Sequence, residues 1–161
     1  MRLEGSCHCG SIQFSCETHY PLPYQRCYCA ICRKTSGGGG YLIHIEAEAA
    51  TLEVKGREHL RVYRPMKEGG GKPVRSRQER HFCALCGSHL WSYHPNWPEL
   101  LHPVASAIDT PLPEAPENVH VMIGAKPSWV PVEGKPGDER FEKYPEQSHA
   151  DWHIANGYQV D

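Results

Sequence analysis

Cys27-Tyr28-Cys29-Ala30-Ile31-Cys32-Arg33-Lys34 is the stretch on which the reading of this chain turns. Its three thiols are poorly spaced to cross-link with one another and well spaced to grip a single cation. Outward from it, Cys7-x-Cys9 lies toward the amino terminus and Cys83-x-x-Cys86 toward the carboxy terminus, so seven of the eight cysteines fall in three tight clusters. Two clusters of two make a complete four-thiolate set, and the cluster of three is one ligand short. Closed four-ligand zinc sites are structural as a rule, whereas three protein ligands and an open position permit chemistry.

Eight cysteines, an even number, would also suit a secreted disulfide framework. Against this, Met1-Arg2-Leu3-Glu4-Gly5-Ser6 reads as lacking the apolar run of a signal peptide. A chain of 161 residues can also bury a core without dense cross-linking. Metal binding is the expectation, and a reducing, cytoplasmic setting goes with it.

Length alone predicts one domain. No segment approaches the apolar length needed to span a bilayer, so a membrane partner is not expected. The net charge of −2 is mild but uneven: residues 57–80 carry eight basic side chains against Glu58, Glu68 and Glu79. From Asp109 onward there are ten acidic and four basic residues. The basic stretch reads as solvated loop and strand faces, with a small anion as the functional variant. Tyr63 alone stands among these charges, without the repeated interleaving of aromatics seen in single-strand binders, which argues against nucleic acid.

Fifteen Gly and fourteen Pro leave little room for long helices. Ile12-x-Phe14-x-Cys16 alternates as a half-buried strand, and Tyr41–Ile45, Thr51–Lys55 and Leu60–Tyr63 read as further strands. Glu79–Phe82, His89–Tyr93, Pro103–Ile108 and Val119–Ile123 complete the predicted set. Gly37–Gly40, Gly69–Gly71 and Pro111–Pro116 read as turns or loops, and Ala30–Lys34 as a short helical turn. The predicted fold class is mostly β.

An extended segment would point Cys7 and Cys9 to one side and His8 away. Cys83-Ala84-Leu85-Cys86-Gly87 has the form of a zinc knuckle, whose trailing glycine turns backbone N–H groups toward sulfur; Cys9-Gly10 repeats that glycine. Cys7, Cys9, Cys83 and Cys86 are assigned to the closed site and Cys27, Cys29 and Cys32 to the open one. The alternative, that His8 or His81 closes the second site, stays open here. Cys16 shares a strand face with Ile12 and Phe14 and reads as a packing residue.

Gly5-Ser6-Cys7-His8-Cys9-Gly10, Cys27-x-Cys29-x-x-Cys32-Arg33-Lys34-x-Ser36-Gly37 and Arg80-x-Phe82-Cys83-x-x-Cys86-Gly87-Ser88 together resemble the glutathione-dependent formaldehyde-activating enzyme family, which is related to centromere protein V. The resemblance continues through Ile108-Asp109, Val119-His120-Val121 and Lys126-x-Ser128-Trp129 and fades after about Tyr144. It implies one domain over residues 1–145 with a tail at 146–161, and a β-tent fold of antiparallel sheets organised around cysteine-bound zinc. It also implies a structural zinc on Cys7, Cys9, Cys83 and Cys86, and a second zinc on Cys27, Cys29 and Cys32 where substrate approaches. The implied reaction is a carbon–sulfur lyase run in reverse, adding formaldehyde to a small thiol, glutathione, to give S-(hydroxymethyl)glutathione. Tyr28 departs from the family's more frequent Cys-His-Cys.

Three thiolates around zinc leave a net negative site, poorer at acidifying water and better at exchanging a thiol ligand. On this reading Cys27, Cys29 and Cys32 form the catalytic centre, and Arg33 and Lys34, with Tyr28, are the candidate substrate-binding residues. Arg33 and Lys34 would hold carboxylates of a glutathione-like thiol; their bland role is exposure beside a metal turn, and that of Tyr28 is strand packing. The alternative function is a non-catalytic, zinc-stabilised binding or scaffold module.

Overall fold

The computed structural model of the protein describes residues 1–36 and 38–158. Gly37, placed by the sequence in a turn with Gly38–Gly40, and residues 159–161 of the tail lie outside the described residues. Along the chain, β1 (Arg2–Ser6) and β2 (Gln13–Glu17) precede β3 (Tyr24–Cys27), helix α1 (Ala30–Ser36) and β4 (Leu42–His44). Then come β5 (Ala47–Glu48), β6 (Glu53–Lys55), β7 (Leu60–Tyr63), β8 (Met66–Gly69) and β9 (Lys72–Arg75). The last elements are β10 (Glu79–Cys83), β11 (His89–Tyr93), β12 (Leu100–Pro103), β13 (Asn118–Val121), β14 (Glu139–Arg140) and α2 (His149–Ala155). The class is mostly β, as composition predicted. No helix among the described residues is long and apolar enough to cross a membrane.

These elements sort into two compact units. One is built from residues 2–18 and 47–111 and contains a three-stranded sheet, β1-β2-β6, a five-stranded sheet, β5-β12-β11-β10-β7, and the β8–β9 hairpin. All pairings here are antiparallel. Alternation explains β1: Leu3 and Gly5 are buried while Arg2 and Glu4 face water. Leu3, Phe14, Cys16, Leu90, Trp91 and Leu101 are buried in this unit, with the Phe14 and Trp91 rings 5.1 Å apart. Burial pushes the Cys16 thiol up to about 12, in keeping with a packing role.

The other unit comprises Met1, residues 19–46 and residues 112–161, around the sheet β14-β13-β3-β4. Here β13 runs parallel to both β3 and β14, a departure from the all-antiparallel expectation. Val121 pairs with Cys27 on one side of β3, and Leu42 pairs with it on the other. The segment 146–161 contributes α2, capped by Ser148 and Asp151, which bond each other's backbone N–H. Trp152 of that helix is buried against Leu22 and Ala115, with Tyr20, Tyr24 and Tyr158 around them.

Two predicted strands end differently. Pro103–Ile108 is strand only at its start, because small residues at Ala105–Ala107 close a 3-10 turn in which Ala107 N–H bonds the Val104 carbonyl at 2.9 Å. Val119–Ile123 stops at Val121, since Met122 takes a left-handed φ of 60°.

Candidate metal centres

Cys7 leaves β1 into the β1–β2 connection. Its segment is a turn and not the extended run expected: Gly10 N–H bonds the Cys7 carbonyl at 2.9 Å, with Gly10 at a φ of 75°. The turn brings Cys7 Sγ and Cys9 Sγ to 3.5 Å. Cys83 ends β10, and Gly87, at a φ of 76°, donates its N–H to the Cys83 carbonyl at 2.8 Å to close the knuckle. Cys9 Sγ then lies 3.8 Å from Cys83 Sγ, and the sulfurs of Cys7, Cys9, Cys83 and Cys86 all lie within 4.8 Å of one another. Tetrahedral coordination at a zinc–sulfur distance of about 2.3 Å spaces sulfurs about 3.8 Å apart, so the donor set fits such an ion.

Polar groups around these sulfurs favour thiolate. Ile12 N–H points at Cys7 Sγ at 3.3 Å, Ser11 Oγ lies 3.4 Å from Cys9 Sγ, and Ser88 Oγ lies 3.2 Å from Cys86 Sγ. The Ser88 hydroxyl and backbone hold Cys86 down at about 5, and Ser11 lowers Cys9. Burial drives Cys83 the other way, to about 11, the cost a bound cation would offset. His81, one of the two histidines considered as a ligand, is stacked on Trp91 at 5.1 Å and paired with Glu79 at 3.3 Å. His8 is exposed, and its N–H bonds Ser88 Oγ.

In the other unit, Cys27 ends β3, Cys29 lies in the following loop and Cys32 sits on α1; their three sulfurs lie within 4.8 Å of one another. The loop is fixed at both ends. Tyr28 N–H bonds the Val121 carbonyl at 3.1 Å, Arg33 N–H bonds the Cys29 carbonyl at 3.1 Å, and Cys32 N–H points at Cys29 Sγ at 3.4 Å. Hydrogen bonds from Cys27 and Cys32, then backbone N–H groups of Cys32 and Ile31, pull the Cys29 thiol well below its usual range. Hydrogen bonds with Cys29 and Cys32, together with burial, push the Cys27 thiol up. Among the described residues, no fourth Cys, His, Asp or Glu joins this group of ligand atoms.

Four neighbours of this trio escaped the sequence. His44 Nε2 on β4 lies 3.4 Å from Cys32 Sγ. Burial, then the charge of the three sulfurs, raises the pKa of Tyr144. Behind the trio, Tyr28 is fully buried, its hydroxyl 2.8 Å from His120 Nδ1. His120 Nε2 in turn lies 2.9 Å from Asp138 Oδ2. Burial would raise Asp138, but bonds from His120 and from the N–H groups of Asn118 and Lys135 hold it at about 2. An ionised Asp138 requires the proton on Nε2, so in the neutral imidazole Nδ1 accepts from Tyr28. The periodicity of a strand gave His44 away as a strand residue, but only the β3–β4 register brings it to sulfur.

Arg33 is half-buried, and its Nε is buried with no hydrogen-bond partner, while Lys34 is exposed. Arg26, one residue before Cys27, lies over the Tyr41 ring at 5.3 Å and also has an unpartnered, buried Nε. Both guanidinium groups therefore carry a buried Nε without a hydrogen-bond partner.

A family model described as glutathione-dependent formaldehyde-activating enzyme matches residues 2–124. A Halomonas elongata protein that carries the same enzyme name as a provisional description is 50% identical over 157 residues, covering 98% of each chain. A crystal structure of a Rhodobacter sphaeroides protein is similar with a TM-score of 0.50 and 25% identity, over 70% of this chain and 92% of that one.

Proposed function

Because the chain belongs to the glutathione-dependent formaldehyde-activating enzyme family, we propose that it joins an aldehyde to a small thiol, with formaldehyde and glutathione as the pair, to form S-(hydroxymethyl)glutathione. The observation that carries this reading is the contrast between two donor sets: four sulfurs on Cys7, Cys9, Cys83 and Cys86, and three on Cys27, Cys29 and Cys32. The first set suits a structural zinc and the second a zinc with a free vertex. When bound at the trio, zinc supplies Lewis-acid stabilisation of an incoming thiolate near neutral pH.

The chain's own residues do the rest. Arg33 and Lys34 follow Cys32 and offer positive charge to the carboxylates of the thiol. Tyr28, locked on His120 and Asp138, holds the backbone between Cys27 and Cys29 rigid, so the sulfurs keep their spacing. The reaction is written as carbon–sulfur bond formation, the reverse of a lyase step. A reducing compartment, the cytoplasm, is part of the proposal because every ligand must stay a thiol or thiolate.

The test follows formaldehyde consumption with glutathione in the presence of zinc-loaded protein. Acceleration over the uncatalysed rate, lost in Cys29→Ser, supports the proposal; no acceleration by fully metallated protein refutes the formaldehyde–glutathione reaction. Two metal equivalents that both resist displacement by thiol would instead favour a scaffold.

A further inference from the structure

We propose that His44 is a positioning residue of the open site. Its Nε2–H grips Cys32 Sγ from outside the ring of ligands and takes up part of the thiolate charge, so that the trio tolerates an incoming thiolate as a fourth sulfur. This rests on the reading of the trio as the place where the small thiol binds.

The β3–β4 register puts His44 there. Leu42 pairs with Cys27, and His44 with Gln25, across these antiparallel strands. Cross-strand partners share a face, as do residues two apart on one strand, so His44 stands on the face that carries Cys27. Ile43, between them, pairs with Arg26 and belongs to the opposite face. Cys32, buried on α1, brings its sulfur to within 4.8 Å of Cys27 Sγ. There His44 Nε2 meets it at 3.4 Å.

A nitrogen at that distance from a sulfur either shares an ion with it or hydrogen-bonds it, and the geometry separates the two. A ligand nitrogen on the same tetrahedral ion would lie about 3.5 Å from every sulfur of the set. Among the described residues, His44 does not come within 4.8 Å of all three sulfurs, so it touches Cys32 from the flank. The position of the proton follows from charge. A metal-bound sulfur is a thiolate with no hydrogen to give, so the contact is attractive only with the proton on Nε2. One of the two neutral tautomers of imidazole supplies it, and no charged histidine is required.

Three thiolates on a dication leave one net negative charge, and a fourth makes it two. An N–H aimed at sulfur spreads that charge and weakens the sulfur as a donor. The Cys32 N–H already does so for Cys29 Sγ, at 3.4 Å. His44 does the same for Cys32 from a side chain, at a half-buried strand position that admits a substitution without opening a core.

The experiment titrates glutathione into full-length wild type, His44→Asn and His44→Gln, each loaded with cobalt(II) and with no aldehyde present. Subtracting the spectrum of cobalt-loaded Cys29→Ser, which keeps the four-sulfur set, isolates the band of the trio. Gln carries an amide N–H to the place of Nε2, whereas Asn stops one bond short of it. In the Asn variant the sulfur-to-cobalt band should move to lower energy and glutathione should bind about 10-fold more weakly, and Gln should restore both. Asn and Gln altered alike, or neither altered, overturns the proposal; His44→Leu takes the place of an Asn variant that does not fold. A wild type whose band ignores glutathione overturns the role of His44 together with the reading of the trio. Wild type and Asn responding at the same glutathione concentrations overturns the role of His44 alone and leaves thiol binding at the trio standing.

Discussion

Tyr28→Phe deletes one hydroxyl from a chain of three buried polar groups, and its cost can be worked from the structure. Tyr28 and His120 are each 0% exposed, and their bond is 2.8 Å long. Asp138 accepts from Nε2 and fixes the tautomer, so the deletion leaves Nδ1 a buried acceptor that no solvent reaches. Such an orphan costs about 1–3 kcal/mol, and full burial of both partners argues for the upper half of that range. At about 2 kcal/mol the thermal midpoint should fall by about 4–8 °C for a chain of this size. Tyr24→Phe is the control. Its hydroxyl bonds the Pro113 carbonyl at 2.7 Å in a partly buried place where water can substitute, so its cost should stay below about 1 kcal/mol. Urea unfolding of both variants at one fixed free zinc concentration gives the comparison, since bound metal adds its own stabilisation. If Tyr28→Phe costs no more than Tyr24→Phe, the proposed chain from Tyr28 to Asp138 is not what holds the loop. Loss of thiol affinity without loss of stability would instead move Tyr28 to the substrate.

Cys83→Ser should abolish folding of its unit, since structural zinc contributes on the order of 10 kcal/mol in model peptides, whereas Cys29→Ser should stay folded and lose one metal equivalent. Circular dichroism with elemental analysis separates them, and equal unfolding would mean that the division into two kinds of site is wrong. Arg33→Ala should raise KM for glutathione about 10- to 100-fold, the worth of a charge-assisted hydrogen bond, with little change in kcat; an unchanged KM assigns Arg33 to solvent. Asp138 is held at about 2 against an ordinary 3.8, so its contribution to stability is complete above pH 3.8 and disappears as pH falls through 2. The stability gap between wild type and Asp138→Asn, read by urea titration, should therefore narrow across that window; a gap unchanged down to pH 2 contradicts the assignment. Gly87→Ala should cost about 1–2 kcal/mol from its left-handed backbone alone, because an added Cβ meets no atom within 4 Å; a neutral substitution would show that the knuckle turn is not held at that φ.

The cysteines were legible because their spacing is local: each pair sits on one turn, and glycines at 10 and 87 mark where those turns close. Leu60–Tyr63 and His89–Tyr93 were read to the residue, since alternation and β-branched or aromatic content agree there. Short strands such as β5 and β14 carry too few residues for any period to register. His120 reads in sequence as one more strand histidine, and Asp138 as one acid among ten in an acidic stretch; only the parallel pairing of β13 with β3 puts His120 behind Tyr28. Helix α2 was missed because its seven residues are too few to show a helical stripe.

The parallel partnership of β3 with β13 also fixes a timetable for synthesis. On the ribosome, Cys27 emerges about 5–20 s before Val121, the strand residue that will hold its loop in place. Cys86, the last sulfur of the four-membered set, is translated inside that interval. The four-sulfur set is thus complete in the growing polypeptide while the trio still waits for the strand that frames it.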